Sequence, residues 1–342
     1  MISAILANVI RGNTVESIHR GHLIAIDGSS NTLLSSGDPA AVTYFRSAAK
    51  PFQAMPCITS GAADHYGFTE DEIAMACASH SGEKMHVERT QSMLDKIGLS
   101  ESDLRCGTHL PFSTTESERM LRAGETPNQL HNNCSGKHAA MLAYCNHTGT
   151  SIADYESADH PLQRAILKCV ADFAEVNEQE IALGVDGCAA PNFALRLNAM
   201  AVSFLNLISP SDAFDERTRT ACAQIVSAMM TYPELIGGSE RLDTKLMQAA
   251  AGRIISKVGA DGVWLCGVLP SEDYPTGLGI ALKVEDGDDM RARPVVAIDV
   301  LRKLGILSDQ DLPDLSPMPL RNRRGDIVGQ VVSALSHDDN RV

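Results

Sequence analysis

The chain has 342 residues, of which 44% are hydrophobic and 21% charged, so it is long enough to bury a large core and too apolar to be disordered. With 29 basic and 43 acidic side chains the formal charge is −14, which repels phosphate backbones and anionic membranes. No uninterrupted apolar run reaches the length of a membrane span, and the short run Ile2–Ile10 lacks the basic flank of an export signal, so a cytoplasmic protein is expected, with no nucleic-acid or membrane partner.

Residues 5–45 read as strands joined by turns. Thr14–Ile18 and Leu23–Ile26 are β-rich, Arg20-Gly21-His22 lies between them, and Asp27-Gly28-Ser29-Ser30-Asn31 is a strong turn cluster. Arg46-Ser47-Ala48-Ala49-Lys50-Pro51 opens a helix, because Pro51 fits only its first turn. Helical spacing then dominates: 70–77, 86–97, 116–123, 137–145, 158–175, 191–207, 211–230 and 241–251. The end turns β-rich again, with strands over 262–268, 277–284 and 326–334 and a helix near 294–304. Strands at both termini with helices between predict an α/β (α+β) fold, a sheet built from the two ends and a helical layer inserted, in a single domain over 1–342. No glycine fingerprint follows a strand, which speaks against a dinucleotide cofactor.

Four segments carry possible chemistry. Ser47-x-x-Lys50 places a hydroxyl and an amine one helical turn apart, and a buried, neutral lysine serves a serine as base. The pattern is weak, since Ser81-x-x-Lys84 repeats it, and a capping serine with a surface lysine is its bland reading. Cys77-Ala78-Ser79-His80-Ser81-Gly82 is a hydroxyl-rich turn that equally suits a helix cap. Two of the nine cysteines, Cys134 and Cys188, lie among polar residues and glycines, the rest mostly in apolar runs. Cys134 with His138 or His131, completed by Cys188, forms a zinc-ligand set; two buried thiols are the alternative. Lys257 precedes a Gly-x-x-Gly turn, where a solvated lysine is the ordinary explanation.

Taken in order, Phe45-Arg46-Ser47-Ala48-Ala49-Lys50-Pro51-Phe52-Gln53, Cys77–Gly82, Cys106-Gly107, Asn133-Cys134-Ser135-Gly136-Lys137-His138, Asp186–Pro191 and Lys257-Val258-Gly259 resemble the rhizobial-type, or class 3, L-asparaginases. The resemblance implies a fold similar to serine β-lactamases and glutaminases, an antiparallel sheet flanked by helices. It implies a homodimer that hydrolyses L-asparagine to L-aspartate and ammonia. Carried over by residue, it couples Ser47 with Lys50 and Ser79 with Lys257, and gives a zinc site of Cys134, Lys137 and Cys188 with Asp186 beside it. Chemistry alone favours imidazole over an amine as the partner of thiolates. Arg46 and His80 are further candidates for holding the substrate. Ser47 is expected to attack the amide, with an alkaline optimum and with zinc aiding binding rather than making the nucleophile. The rival readings are a β-lactam or peptide acyl-serine hydrolase, a zinc-water amidohydrolase and a non-catalytic amino-acid sensor. The first of these lacks a Lys-Thr-Gly strand.

Overall fold

The computed structural model describes residues 2–335. The chain opens on β1 (Ala4–Arg11), β2 (Thr14–Asp27), β3 (Thr32–Ser36) and β4 (Val42–Tyr44). A 3-10 turn over Arg46–Ala49 runs into α1 (Lys50–Thr59), followed by α2 (Ala62–His65), α3 (Glu70–Ala76), α4 (Lys84–Ile97), α5 (Thr114–Ala123), α6 (Ser135–Thr148) and α7 (Pro161–Ala174). Then come β5 (Ala182–Val185), β6 (Pro191–Arg196), α8 (Leu197–Ile208), α9 (Glu216–Thr231), α10 (Pro233–Ile236) and α11 (Leu242–Ala249). The C-terminal part holds β7 (Ile254–Gly259), β8 (Val263–Val268), β9 (Leu278–Val284), α12 (Ala292–Lys303), β10 (Met318–Arg321) and β11 (Ile327–Ser333).

These elements gather into two compact units. The first takes the N-terminal stretch as far as Ala48, Leu195–Ser209 and the stretch from Lys245 on. Its antiparallel sheet runs β10-β11-β1-β2-β9-β8-β7, with β3 also paired to β2. Both termini thus build one sheet, as the strand–helix–strand order predicts. Every residue of β7 and β8 is buried, so both faces of that part of the sheet are covered; α8 packs on β2, β8 and β9, and α12 on β1, β8, β9 and β11.

The second unit, Ala49–Ala194 with Pro210–Thr244, is mostly helical. Its centre is α1, buried from Lys50 to Ile58 and packed on α2, α3, α6, α7 and α9. Some of its helices start on side-chain caps. His160 Nδ1 accepts the N–H of Leu162 ahead of α7, and Asp215 Oδ1 accepts that of Thr218 at 2.7 Å in α9. Among the described residues no helix is long and apolar enough to cross a membrane.

Three sequence expectations need correction. Thr14–Ile18 and Leu23–Ile26 are one strand, because Gly21 stays in the ladder opposite Ala4 and Val284 instead of turning. The expected helix over 191–207 is β6 followed by α8. Pro191–Leu195 is buried throughout and pairs with β5 in the register Leu183↔Phe193, so no polar alternation marks it as a strand. The helix expected from Ser211 starts at Glu216, where Asp215 supplies the cap.

Candidate active site

Lys50 is the first residue of α1 and is 1% exposed. Its amine faces three oxygens: the Ala78 carbonyl at 2.6 Å, the Ser79 hydroxyl at 2.7 Å and the Asn133 carbonyl at 3.0 Å. The two carbonyls only accept, so they take two N–H groups whatever the charge of the amine. The third position is where charge matters. An ammonium donates to Ser79 Oγ, whereas a neutral amine turns its lone pair to the Ser79 O–H. Burial pushes the Lys50 amine below its ordinary value, Cys134 opposes the shift, and Lys137 adds to it. The result is a hydroxyl in contact with a lysine inclined to be neutral, which is what a serine needs of a base.

Ser79 follows α3, and its N–H donates to the Ile236 carbonyl at 2.8 Å. The start of α6 closes against the same segment. A Cβ at Gly136 would lie 2.4 Å from the Met75 carbonyl, so only glycine lets this helix come so near. Gly136 stands between Cys134 and Lys137. Its packing therefore sets the thiol and the second amine beside the stretch that carries Ser79.

Cys188 comes from the loop between β5 and β6. The Ala189 N–H donates to the Asp186 carbonyl and the Asp186 N–H to the Ala190 carbonyl, both at 2.9 Å, and Ala189 sits at φ +69°. A left-handed alanine is strained, a common mark of loops that aim a functional side chain. Lys137 Nζ donates to Cys188 Sγ at 3.0 Å. The Cys188 thiol is held far below its ordinary value by the hydrogen bond from Cys134, against burial, and with the help of Lys137 and His138. Cys134 is pushed up by that same bond and by burial. For Lys137 burial pulls downward, but the two cysteines and Asp186 outweigh it and the amine is raised. His138 faces the same group of side chains. The Tyr155 hydroxyl accepts the Arg105 N–H at 2.9 Å and meets His138 Nδ1 at 2.7 Å. Among the described residues His138 Nε2 has no hydrogen-bond partner; burial holds the ring below its ordinary value, Lys137 adds to the shift and Cys188 opposes it.

The other expected residues fall as follows. Ser47 is half-buried on the 3-10 turn before α1, and Arg46 ion-pairs with Asp261. Lys257, far from solvated, lies fully buried on β7 and donates to the Val258 carbonyl at 3.1 Å. His80 is fully buried, accepts the Gly82 N–H at Nδ1 and reaches Ser135 Oγ from Nε2 at 2.9 Å, which leaves no ring nitrogen for a ligand. His131 uses Nδ1 on Asn128, its local cap. Lys84 of the second Ser-x-x-Lys is solvated and pairs with Glu88. Where the resemblance couples Lys50 with Ser47, the contact resolved at Lys50 is with Ser79. Sequence reasoning missed Asn133, whose carbonyl serves both Lys50 and the His80 N–H, and Tyr155 behind His138; the first acts through its backbone and the second stands in no motif.

Among the described residues no cysteine forms a disulfide. Among the described residues no three His, Cys, Asp or Glu side chains are arranged to hold a metal. The candidate set has two sulfurs, and its third donor is the Lys137 amine. Two cysteine sulfurs with a buried nitrogen suit zinc, and a divalent ion there would stand in for the charge that Lys137 now carries to Cys188.

A sequence profile of the L-asparaginase II family matches residues 7–333. No curated protein sequence matches the chain. Among solved structures, a probable glutaminase from Bacillus subtilis complexed with 6-diazo-5-oxo-L-norleucine aligns at TM-score 0.40 with 11% identity, over 84% of this chain and 85% of its own. A mutant class A β-lactamase of the last common ancestor of Gram-negative bacteria aligns at TM-score 0.41 with 15% identity, over 84% of this chain and 92% of its own.

Proposed function

We propose, because the chain belongs to the L-asparaginase II family, that it is an L-asparagine amidohydrolase releasing L-aspartate and ammonia through an acyl-serine intermediate. One observation carries the chemical part: a fully buried lysine amine, lowered by its burial, held by two carbonyls and in contact with a serine hydroxyl.

In this reading Ser47 attacks the side-chain amide carbon. It is the more accessible of the two serines, since Ser79 is buried. Neutral Lys50 takes the hydroxyl proton, and Ser79, bonded to Lys50, shares in its transfer. The tetrahedral adduct collapses and ammonia leaves with that proton. Water then cleaves the ester, freeing aspartate and restoring the serine. Lys257 is the second buried amine of the set, and the Asp186 carboxylate suits the substrate's α-amino group.

Cys134, Lys137 and Cys188 would hold zinc, which would supply fixed positive charge for the polar end of an amino-acid substrate. Cys188→Ser is expected to reduce bound zinc, measured by elemental analysis of the purified protein, from about one per chain to near none. The family reading also implies a homodimer working in the cytoplasm.

The deciding experiment has two arms. Purified protein should release ammonia from L-asparagine, and an asparagine-like diazoketone should leave a covalent adduct that peptide mass spectrometry finds on Ser47. An adduct on Ser79 overturns the assignment of the nucleophile. Binding without turnover overturns the enzyme reading. Full activity in Ser47→Ala points to a metal-water hydrolase instead.

A further inference from the structure

Arg46, the residue before Ser47, has φ +52°. A side chain with a Cβ enters that left-handed region at a cost, so the surrounding structure must hold it there. The guanidinium is ion-paired with the Asp261 carboxylate. Asp261 stands on the tight turn from β7 to β8, and that turn is fixed from three sides. Lys283 donates to the Asp261 carbonyl. The Gly262 N–H donates to Asp289 at 2.8 Å. Arg293, itself paired with Asp289, donates to the Gly259 carbonyl at 2.8 Å. Asp261 is therefore a carboxylate on a rigid mount.

A second fastening lies beside the first. A Cβ on Gly259 would sit 2.7 Å from the Phe45 carbonyl, so the strand end and the Ser47 turn meet backbone to backbone. Gly259 and Lys257 are two residues apart on one strand and share a face. Phe45 and Arg46 are thus both tied to the hairpin that carries Lys257, and Ser47 is the next residue along.

We propose that Asp261 is a positioning residue: through Arg46 it fixes the backbone that presents the Ser47 hydroxyl. Asp261 touches no reacting atom in this scheme. The inference rests on the reading that Ser47 accepts the acyl group. The Asp261 side chain is 71% exposed, and exposed ion pairs add little to global stability. Its loss should therefore appear in turnover and not in melting. A nucleophile misplaced by an ångström loses up to about 100-fold in rate.

The test uses the full-length protein with L-asparagine and compares wild type, Asp261→Asn, Asp261→Glu and Ser47→Ala. Asp261→Asn should lower kcat about tenfold, leave KM within about twofold and leave the melting temperature nearly unchanged. Asp261→Glu should restore most of the loss. Raising NaCl from about 0.05 to 1 M should lower wild-type kcat by screening the pair and leave Asp261→Asn flat. A wild-type kcat in Asp261→Asn overturns the proposal, as does a rise in KM alone. So does a loss of kcat that follows a matching loss of stability and is not relieved by glutamate. If Ser47→Ala keeps its turnover, the nucleophile reading fails and takes this inference with it. If Ser47→Ala is dead while Asp261→Asn is fully active, only the inference fails.

Discussion

The sequence carries the pattern Ser-x-x-Lys twice, and the structure treats the two copies in opposite ways. Lys50 is 1% exposed, bound by two carbonyls and in contact with Ser79. Lys84, at the first turn of α4, has a side chain 83% exposed and pairs with the solvated Glu88 at 3.5 Å. Ser81, its partner in the pattern, is buried and donates to the Gly237 carbonyl at 2.8 Å. Spacing brings a hydroxyl and an amine within reach; desolvation makes the amine a base. The pattern alone has no chemical meaning until the fold removes water from one of its lysines.

The largest test of this contrast is to delete each amine. Lys50→Met should reduce kcat with asparagine by about 10²- to 10⁴-fold, the usual worth of a general base. Lys84→Met should leave it within about twofold, as surface changes do. Equal losses would erase the distinction. The same pair sharpens it through pH. Because the Lys50 amine lies below its ordinary 10.5, its neutral fraction rises through the lowered value, and kcat/KM should rise with it toward an alkaline optimum. Stability moves the same way. Between the lowered value and 10.5 the unfolded chain holds a proton that the folded chain lacks, so stability relative to Lys50→Met rises with pH across that window and levels off above it. Urea titrations of both proteins at several pH values measure this, and a falling difference would contradict it.

The smallest expected effect concerns Ser81. Ser81→Ala should cost about 1 kcal/mol of stability, by loss of one buried hydrogen bond, and leave turnover intact. Thermal melting and an ammonia assay check the two halves, and a large loss of turnover would make Ser81 more than a strut.

The residues explain how much could be read in advance. Strands at both chain ends were legible because β1, β8, β9 and β11 are clear runs bounded by turn residues, and their joining into one sheet follows from that order. Strand β6 was not legible, since burial on every side removes the alternation that distinguishes a strand from a helix. The thiols of Cys134 and Cys188 could be picked out by their polar neighbours. That a thiolate would gather Lys137, His138 and, behind it, Tyr155 could not, because those contacts depend on how a strained loop meets the start of a helix. Arg46 was expected to hold the substrate; in the structure its guanidinium pairs with Asp261, a contact that its place in the sequence does not reveal.

Gly136 has a practical consequence for anyone who would redesign this protein. A side chain there must shift the Met75 carbonyl, and that shift propagates along three residues to the serine that Lys50 holds, while its recoil moves the first thiol on the other flank. Mutational libraries aimed at new amide substrates should leave that position untouched and explore the walls around it, since a single methyl group would detune both halves of the chemistry in one stroke.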